Sequence, residues 1–248
     1  MAQLPIHRES KKLEATLKQG GLEICLPASQ VAELLRLPPE DIKSVRLSRI
    51  MKEFISGFEF LKGYTKAATF FGSSRVDERN FYYREAQKLA HRLSQEGFAI
   101  ITGGGPGIME AANKGAYEAG GKSVGINIQM YAEQKINKYV DASTSFHYFF
   151  VRKVMLAFAS EIYIFFPGGF GTLDEFFEII TLIQTKKIKP IPVLLVGKSY
   201  WQELLKWIEL AVYEENHAIE KEHLEIYRLV DNADEAFALV KELVNHKS

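Results

Sequence analysis

The sequence predicts an α/β protein: a Rossmann-like open, mostly parallel sheet with helices on both faces, preceded by an N-terminal helical extension. Three observations carry this expectation. From residue 64 onward, short apolar runs alternate with amphipathic helical stretches, the pattern of successive βαβ units. Three of those runs end in turns rich in Gly, Ser or Thr. The 248 residues, 47% of them hydrophobic, suffice for the core of one such domain and an extension.

Taken in order, residues 1–41 are mixed and polar, with apolar patches at 22–26 and 31–37 and a break at Pro38-Pro39. From Asp41, the residues Val45, Leu47, Ile50, Met51, Phe54, Ile55, Phe58 and Leu61 recur at helical spacing. A long amphipathic helix is expected there, packed on the main domain or, as the second reading, in a subunit interface. Residues 1–65 read as the extension and 66–248 as the Rossmann-like domain. Strands are expected at 67–71, 98–102, 123–128, 161–166, 191–196 and 226–230. The intervening helices are expected at 81–96, 107–119, 149–160, 172–184, 200–216 and 233–244.

Charge narrows the partners. Thirty-one Lys and Arg balance thirty-one Asp and Glu, so no bulk positive field draws nucleic acid or an anionic membrane. Cys25 is the single cysteine, which excludes an internal disulfide, and the first thirty residues hold no apolar core of signal-peptide type. A cytoplasmic protein is expected. The longest apolar run is far shorter than the roughly 20 residues that span a bilayer.

Open parallel sheets bind ligands beyond the carboxyl ends of their strands, which directs attention to the three turns. In the third, Pro167-Gly168-Gly169-Phe170-Gly171-Thr172 links an apolar strand to a helix expected to begin near Thr172. Backbone N–H groups and the positive end of the helix dipole converge there, a combination that holds an anion. The Thr172 hydroxyl can cap the helix and donate to a phosphate oxygen; the plainer alternative is a tight turn with Thr172 as N-cap alone. A second helix-opening turn, Gly103-Gly104-Gly105-Pro106-Gly107, strengthens the phosphate reading. It is not a dinucleotide fingerprint, because Ile108 stands where the last glycine belongs and the next strand ends near Asn127 rather than in an acid. The tract from Gly115 to Ser123 is not a Walker loop either: Ala116 stands where its first glycine belongs, and the tract precedes a strand.

Pro167-Gly168-Gly169-Phe170-Gly171-Thr172-Leu173-Asp174-Glu175 matches the P-G-G-x-G-T-x-x-E motif of the LOG ("Lonely Guy") phosphoribohydrolases, and the chain resembles that family over about residues 66–242. Arg152-Lys153 is similar to the family's R-K pair, and Gly103 to Glu110 is similar to its G-G-G-x-x-G-x-M segment with altered glycine spacing. The resemblance implies hydrolysis of a purine nucleoside 5′-monophosphate, AMP or an N6-substituted cytokinin ribotide, without metal or organic cofactor, in an oligomer that is at least a dimer. The label "lysine decarboxylase" that members often carry finds no support, since no motif supplies a Schiff-base lysine with an acidic partner for a pyridoxal ring. Short members have His where this chain has Phe150, a departure that bears on base specificity.

Cleaving a ribosyl N-glycosidic bond passes through an oxocarbenium-like state, which a carboxylate near the anomeric carbon stabilises. Glu175 is the candidate, expected in the first helical turn; the alternative is a capping box in which it bonds back to Thr172. Arg152 is the second candidate, a fixed cation for phosphate or ribose oxygens. Lys153 is expected on a different helix face with a structural role, and Asp174 either holds a ribose hydroxyl or is an exposed first-turn acid. Gly168, Gly169, Gly171, Thr172, Gly104, Gly105, Ser73, Ser74 and Met109 are the candidate phosphate- and nucleotide-binding residues. The six histidines show no metal-ligand spacing. A non-catalytic carrier of a nucleotide or phosphorylated cofactor is the competing reading, and a structural or regulatory oligomer is the third.

Overall fold

The computed structural model describes residues 42–129 and 136–245. The expectations for residues 1–41 lie outside the described residues. The chain divides into two units, residues 1–63 and 64–248. In the first, helix α1 (Ile42–Leu61) realises the long helix read from the spacing of its apolar residues, with Phe54 and Phe58 stacked one turn apart.

The second unit runs β1 (Ala67–Phe71), α2 (Phe81–Gln95), β2 (Ala99–Thr102), α3 (Ile108–Glu118), β3 (Ser123–Ile128), β4 (Ala142–Phe146), α4 (Phe149–Phe158), β5 (Ile162–Phe165), α5 (Phe170–Gln184), β6 (Val193–Val196), α6 (Lys198–Trp207), β7 (Tyr227–Val230) and α7 (Ala233–Asn245). Among the described residues the seven strands are all parallel, in the order β4-β3-β2-β1-β5-β6-β7. The central strands are buried throughout, which is why they read as unbroken apolar runs rather than as alternations.

Each face of the sheet has its own core. On one, Leu89, Ala90 and Leu93 of α2, Ala111 and Ala112 of α3, and Ala236 and Val240 of α7 pack with Ala68, Phe70, Ile100, Ile164 and Leu194. On the other, Phe176 of α5 stands edge-on to Phe165 and packs against Trp201 of α6 and Tyr227 of β7. Local signals start the helices: Asn80 Oδ1 accepts from the Tyr82 amide at 2.8 Å at the head of α2, and Asn232 Oδ1 accepts from Asp234 and Glu235 at the head of α7.

The structure departs from expectation in three places. Strand β4 was not anticipated, because Ala-Ser-Thr-Ser-Phe is an edge strand buried on one side only and carries no apolar run. Helix α5 begins at Phe170, not near Thr172, so part of the glycine-rich turn is already helix. The helix expected over 200–216 is α6 followed by a π-helical segment, Ile208–Glu215. No helix among the described residues is long and apolar enough to cross a membrane.

Candidate functional site

Strand order reverses between β1 and β5, and the crevice beyond their carboxyl ends is where such sheets take ligands. Three turns form its floor and brace one another. The Ser73 amide donates to the Pro167 carbonyl at 2.9 Å, and the Ile108 amide donates to the Ser73 carbonyl at 2.9 Å. The Ser73 hydroxyl accepts from the Arg75 amide, so this serine is partly spent on its own turn, while Ser74 remains exposed.

Residues 167–172 supply the open end of a helix. Gly169 is the N-cap of α5 and offers no side chain, and the amides of Phe170 and Gly171 donate to no described residue. Thr172 is buried and lies inside the first turn, its own amide bonded to the Gly169 carbonyl at 3.0 Å; it is not the N-cap expected of it. Its hydroxyl lies back over Gly168, where a Cβ would fall 2.1 Å from Oγ1, so residue 168 has room for glycine alone. A Cβ at Gly169 or Gly171 would meet nothing within 4 Å, which leaves space directly over the free amides. From α6, the Tyr200 hydroxyl donates to the Gly168 carbonyl at 2.7 Å and steadies the turn.

Glu175 follows in the second turn of α5, not the first, and makes no capping box with Thr172. It is 6% exposed, and its Oε2 has no hydrogen-bond partner among the described residues. Burial drives its carboxyl up to about 7, against the downward pull of Lys153 and Arg152, with Glu178 adding to the rise. Arg152, on α4, donates from Nε to the Ile126 carbonyl at 2.9 Å and lays its guanidinium over Gly103, where a Cβ would fall 2.2 Å from a terminal nitrogen and 2.8 Å from Met109 Sδ. Burial lowers its pKa, and Glu175 opposes the shift. The two side chains sense each other without forming an ion pair among the described residues.

Lys153 is the residue sequence reasoning undervalued. Its ammonium, 15% exposed, hydrogen-bonds Asp174 and lies 3.4 Å from Glu175 Oε1 and 2.9 Å from Glu178 Oε2. Asp174, read as a ribose-hydroxyl ligand or an exposed first-turn acid, is exposed but lies beyond the first turn and bonds this lysine. A signal was present: acids at 174, 175 and 178 beside Leu173, Phe176 and Ile179 put carboxylates on an apolar helix, which requires a cation from a neighbour.

The turn after β2 is organised differently. Thr102 Oγ1 donates to Asn113 Oδ1 at 2.6 Å and accepts from the Gly104 amide at 2.9 Å, and Asn113 Nδ2 donates to Ser123 Oγ at 2.9 Å. Asn137 Nδ2 donates to the carbonyls of Gly104 and Gly105 and to Asn113 Oδ1. Gly104 and Gly105 are therefore locked within a neutral network, and Met109 is brought beside Arg152. His147 stands edge-on to Tyr148 in an aromatic contact.

These features define a class, a doubly wound Rossmann-like protein with its open amides and buried charges gathered at the switch point. The likeness to solved structures agrees: a molybdenum cofactor binding protein from Rippkaea orientalis matches with a TM-score of 0.54 at 21% identity, covering 72% of this chain and 95% of that one. The molybdenum cofactor carrier protein of Chlamydomonas reinhardtii matches with a TM-score of 0.53 at 23% identity, covering 73% and 98%. At that identity the likeness is one of fold. By sequence, the chain belongs to the family described as "Possible lysine decarboxylase", whose profile matches residues 109–240. Relatives include a cytokinin riboside 5′-monophosphate phosphoribohydrolase of Arabidopsis thaliana, 32% identical over 160 residues, 62% of this chain and 68% of that one. A probable enzyme of the same name from Oryza sativa subsp. japonica is 30% identical over 154 residues; the chain spans 62% of its length.

Proposed function

We propose that this protein hydrolyses the N-glycosidic bond of a purine nucleoside 5′-monophosphate, AMP or an N6-substituted AMP, giving free base and ribose 5-phosphate. One observation carries the reading above all: a buried carboxyl, Glu175, with one oxygen unpartnered among the described residues, stands in the second turn of the helix whose first amides are free. Those amides and Thr172 hold the phosphate, with Gly168, Gly169 and Gly171 giving the backbone its close approach. The sugar then lies within reach of Glu175, and Arg152 pairs with ribose or phosphate oxygens. Near neutral pH Glu175 is divided between its two forms. As carboxylate it opposes the positive charge at C1′ and takes a proton from the attacking water; the C1′–N bond breaks as C1′–O forms, and the proton passes to the departing base. Gly104, Gly105, Met109, Ser73 and Ser74 line the remainder of the nucleotide site. Names of the relatives support the substrate class.

No cofactor enters this reading, and residues 66–248 are the catalytic domain with 1–65 as its extension. The exposed rings of Phe149, Phe150, Phe170 and Phe177 support a homo-oligomer that is at least a dimer, the balanced charge supports a protein that binds neither nucleic acid nor membrane, and the single cysteine supports a cytoplasmic one. Incubation with AMP, followed by chromatography for adenine, tests the reaction. Glu175→Ala is expected to lower turnover at least about 100-fold. Bound AMP without adenine release would instead favour a nucleotide or phosphorylated-cofactor carrier, and unchanged turnover in Glu175→Ala would remove that residue from the chemistry.

A further inference from the structure

The Glu175 carboxyl has two inequivalent oxygens. Oε1 faces the Lys153 ammonium at 3.4 Å, and Oε2 has no partner. The lysine is itself fixed from the far side by Asp174 and, at 2.9 Å, by Glu178. Four charged side chains from two helices thus leave Glu175 Oε2 without a hydrogen bond among the described residues, and Glu178 Oε2, which also accepts none, lies 2.9 Å from the shared ammonium. A buried carboxylate oxygen left bare costs free energy, and an ammonium strong enough to hold both oxygens would normally take them. Here the lysine is shared among three acids, so its hold on Glu175 is partial. A surface salt bridge would not be arranged this way: Lys153 is 15% and Glu175 7% exposed at the side chain, and the desolvated charges have nowhere else to turn.

We propose that Lys153 is a positioning residue: anchored by Asp174 and Glu178, it draws Oε1 of Glu175 to itself and thereby presents Oε2 to the sugar. The proposal rests on the nucleosidase reading for its consequence in turnover, but the arrangement itself can be measured without substrate. The charged groups acting on Glu175 are Lys153 and Arg152 from α4 and Glu178 from α5, with Asp174 bonded to Lys153 behind them. Removing the lysine charge leaves the carboxyl with less cationic support, so its titration midpoint moves up from about 7; removing the Glu178 charge moves it down. Opposite displacements from two neighbouring substitutions distinguish this coupling from a packing defect, which has no reason to reverse sign.

The experiment follows the Glu175 carboxyl by carbon-13 NMR in the full-length protein, in Lys153→Met, Lys153→Arg and Glu178→Gln, alongside AMP kinetics over pH 5–9. The expected result is an upward midpoint in Lys153→Met, a downward one in Glu178→Gln and restoration in Lys153→Arg. In Lys153→Met turnover falls about 10- to 100-fold with KM nearly unchanged, as a misplaced catalytic group requires. Should Lys153→Met fail to fold, Glu178→Gln and Lys153→Arg carry the test alone. Midpoints that stay fixed in both charge-removing variants would overturn the proposal. Midpoints that move as stated in a protein that releases no adenine would keep the arrangement and sink the nucleosidase reading instead.

Discussion

Two glycine-rich turns open two helices at the same edge of the sheet, and their surroundings differ in kind. The turn after β2 is a closed account: Thr102, Asn113, Ser123 and Asn137 satisfy one another and the carbonyls of Gly104 and Gly105, with no net charge among them. The turn after β5 is left open, with free amides at Phe170 and Gly171 and a bare carboxyl oxygen five residues on. Similar composition therefore serves opposite ends. A satisfied polar network makes a rigid wall, whereas unsatisfied groups store free energy that a ligand releases.

The comparison breaks most visibly in stability. Asn113→Leu leaves Thr102, Ser123 and Asn137 without their buried partner, an expected cost of roughly 4 kcal/mol in urea unfolding. Glu175→Gln should do the reverse at alkaline pH. The folded carboxyl titrates at about 7 against 4.5 for the unfolded chain, so as pH rises the unfolded state ionises first. The contribution of the protonated group is complete below 4.5 and is lost as pH climbs through 7. Wild type is expected to lose roughly 3 kcal/mol relative to Glu175→Gln between pH 4.5 and pH 8. Parallel unfolding curves for the two proteins at both pH values would show that Glu175 carries no stored cost.

A smaller effect separates ligand space from protein packing within the β5 turn. Gly168→Ala drives a methyl into the Thr172 hydroxyl, while Gly169→Ala meets no protein atom within 4 Å. Gly168→Ala should weaken AMP about 30-fold, about 2 kcal/mol, with altered folding stability. Gly169→Ala should weaken AMP while leaving stability within about 0.5 kcal/mol, because the added methyl meets no protein atom within 4 Å. Full AMP affinity in Gly169→Ala would move the phosphate away from these amides.

Much of this contrast could be read before the structure, and the rest had physical reasons to stay hidden. The central strands announced themselves because burial on both faces demands continuous apolar runs, and the P-G-G-x-G-T stretch announced itself because few functions tolerate so much glycine at a helix start. Strand β4 was silent because an edge strand needs only half its side chains apolar. The start of α5 was misplaced because Gly171 and the exposed Phe170 look like loop, although the first turn of a helix needs no burial. Lys153 was discounted because neighbouring residues on a helix point about 100° apart. Its stem is long enough to reach α5 from that other face, so direction at Cα underestimated where the charge ends.

The smallest effect concerns the support beneath the open turn. Tyr200 donates to the Gly168 carbonyl at 2.7 Å from a ring that is 36% exposed, so water can replace the lost hydroxyl in Tyr200→Phe. The bond is then worth about 1 kcal/mol at most, and folding stability should hardly change. Binding is more sensitive, because the Gly168 carbonyl fixes the plane of the peptide that follows it and hence the direction in which the turn presents its amides. KM for AMP is expected to rise about 2- to 5-fold at unchanged kcat, the signature of an interaction shared by ground and transition states. A fall in kcat at constant KM would instead mean that Tyr200 acts on the Glu175 side of the site, and that the open turn and the buried carboxyl are one unit rather than two.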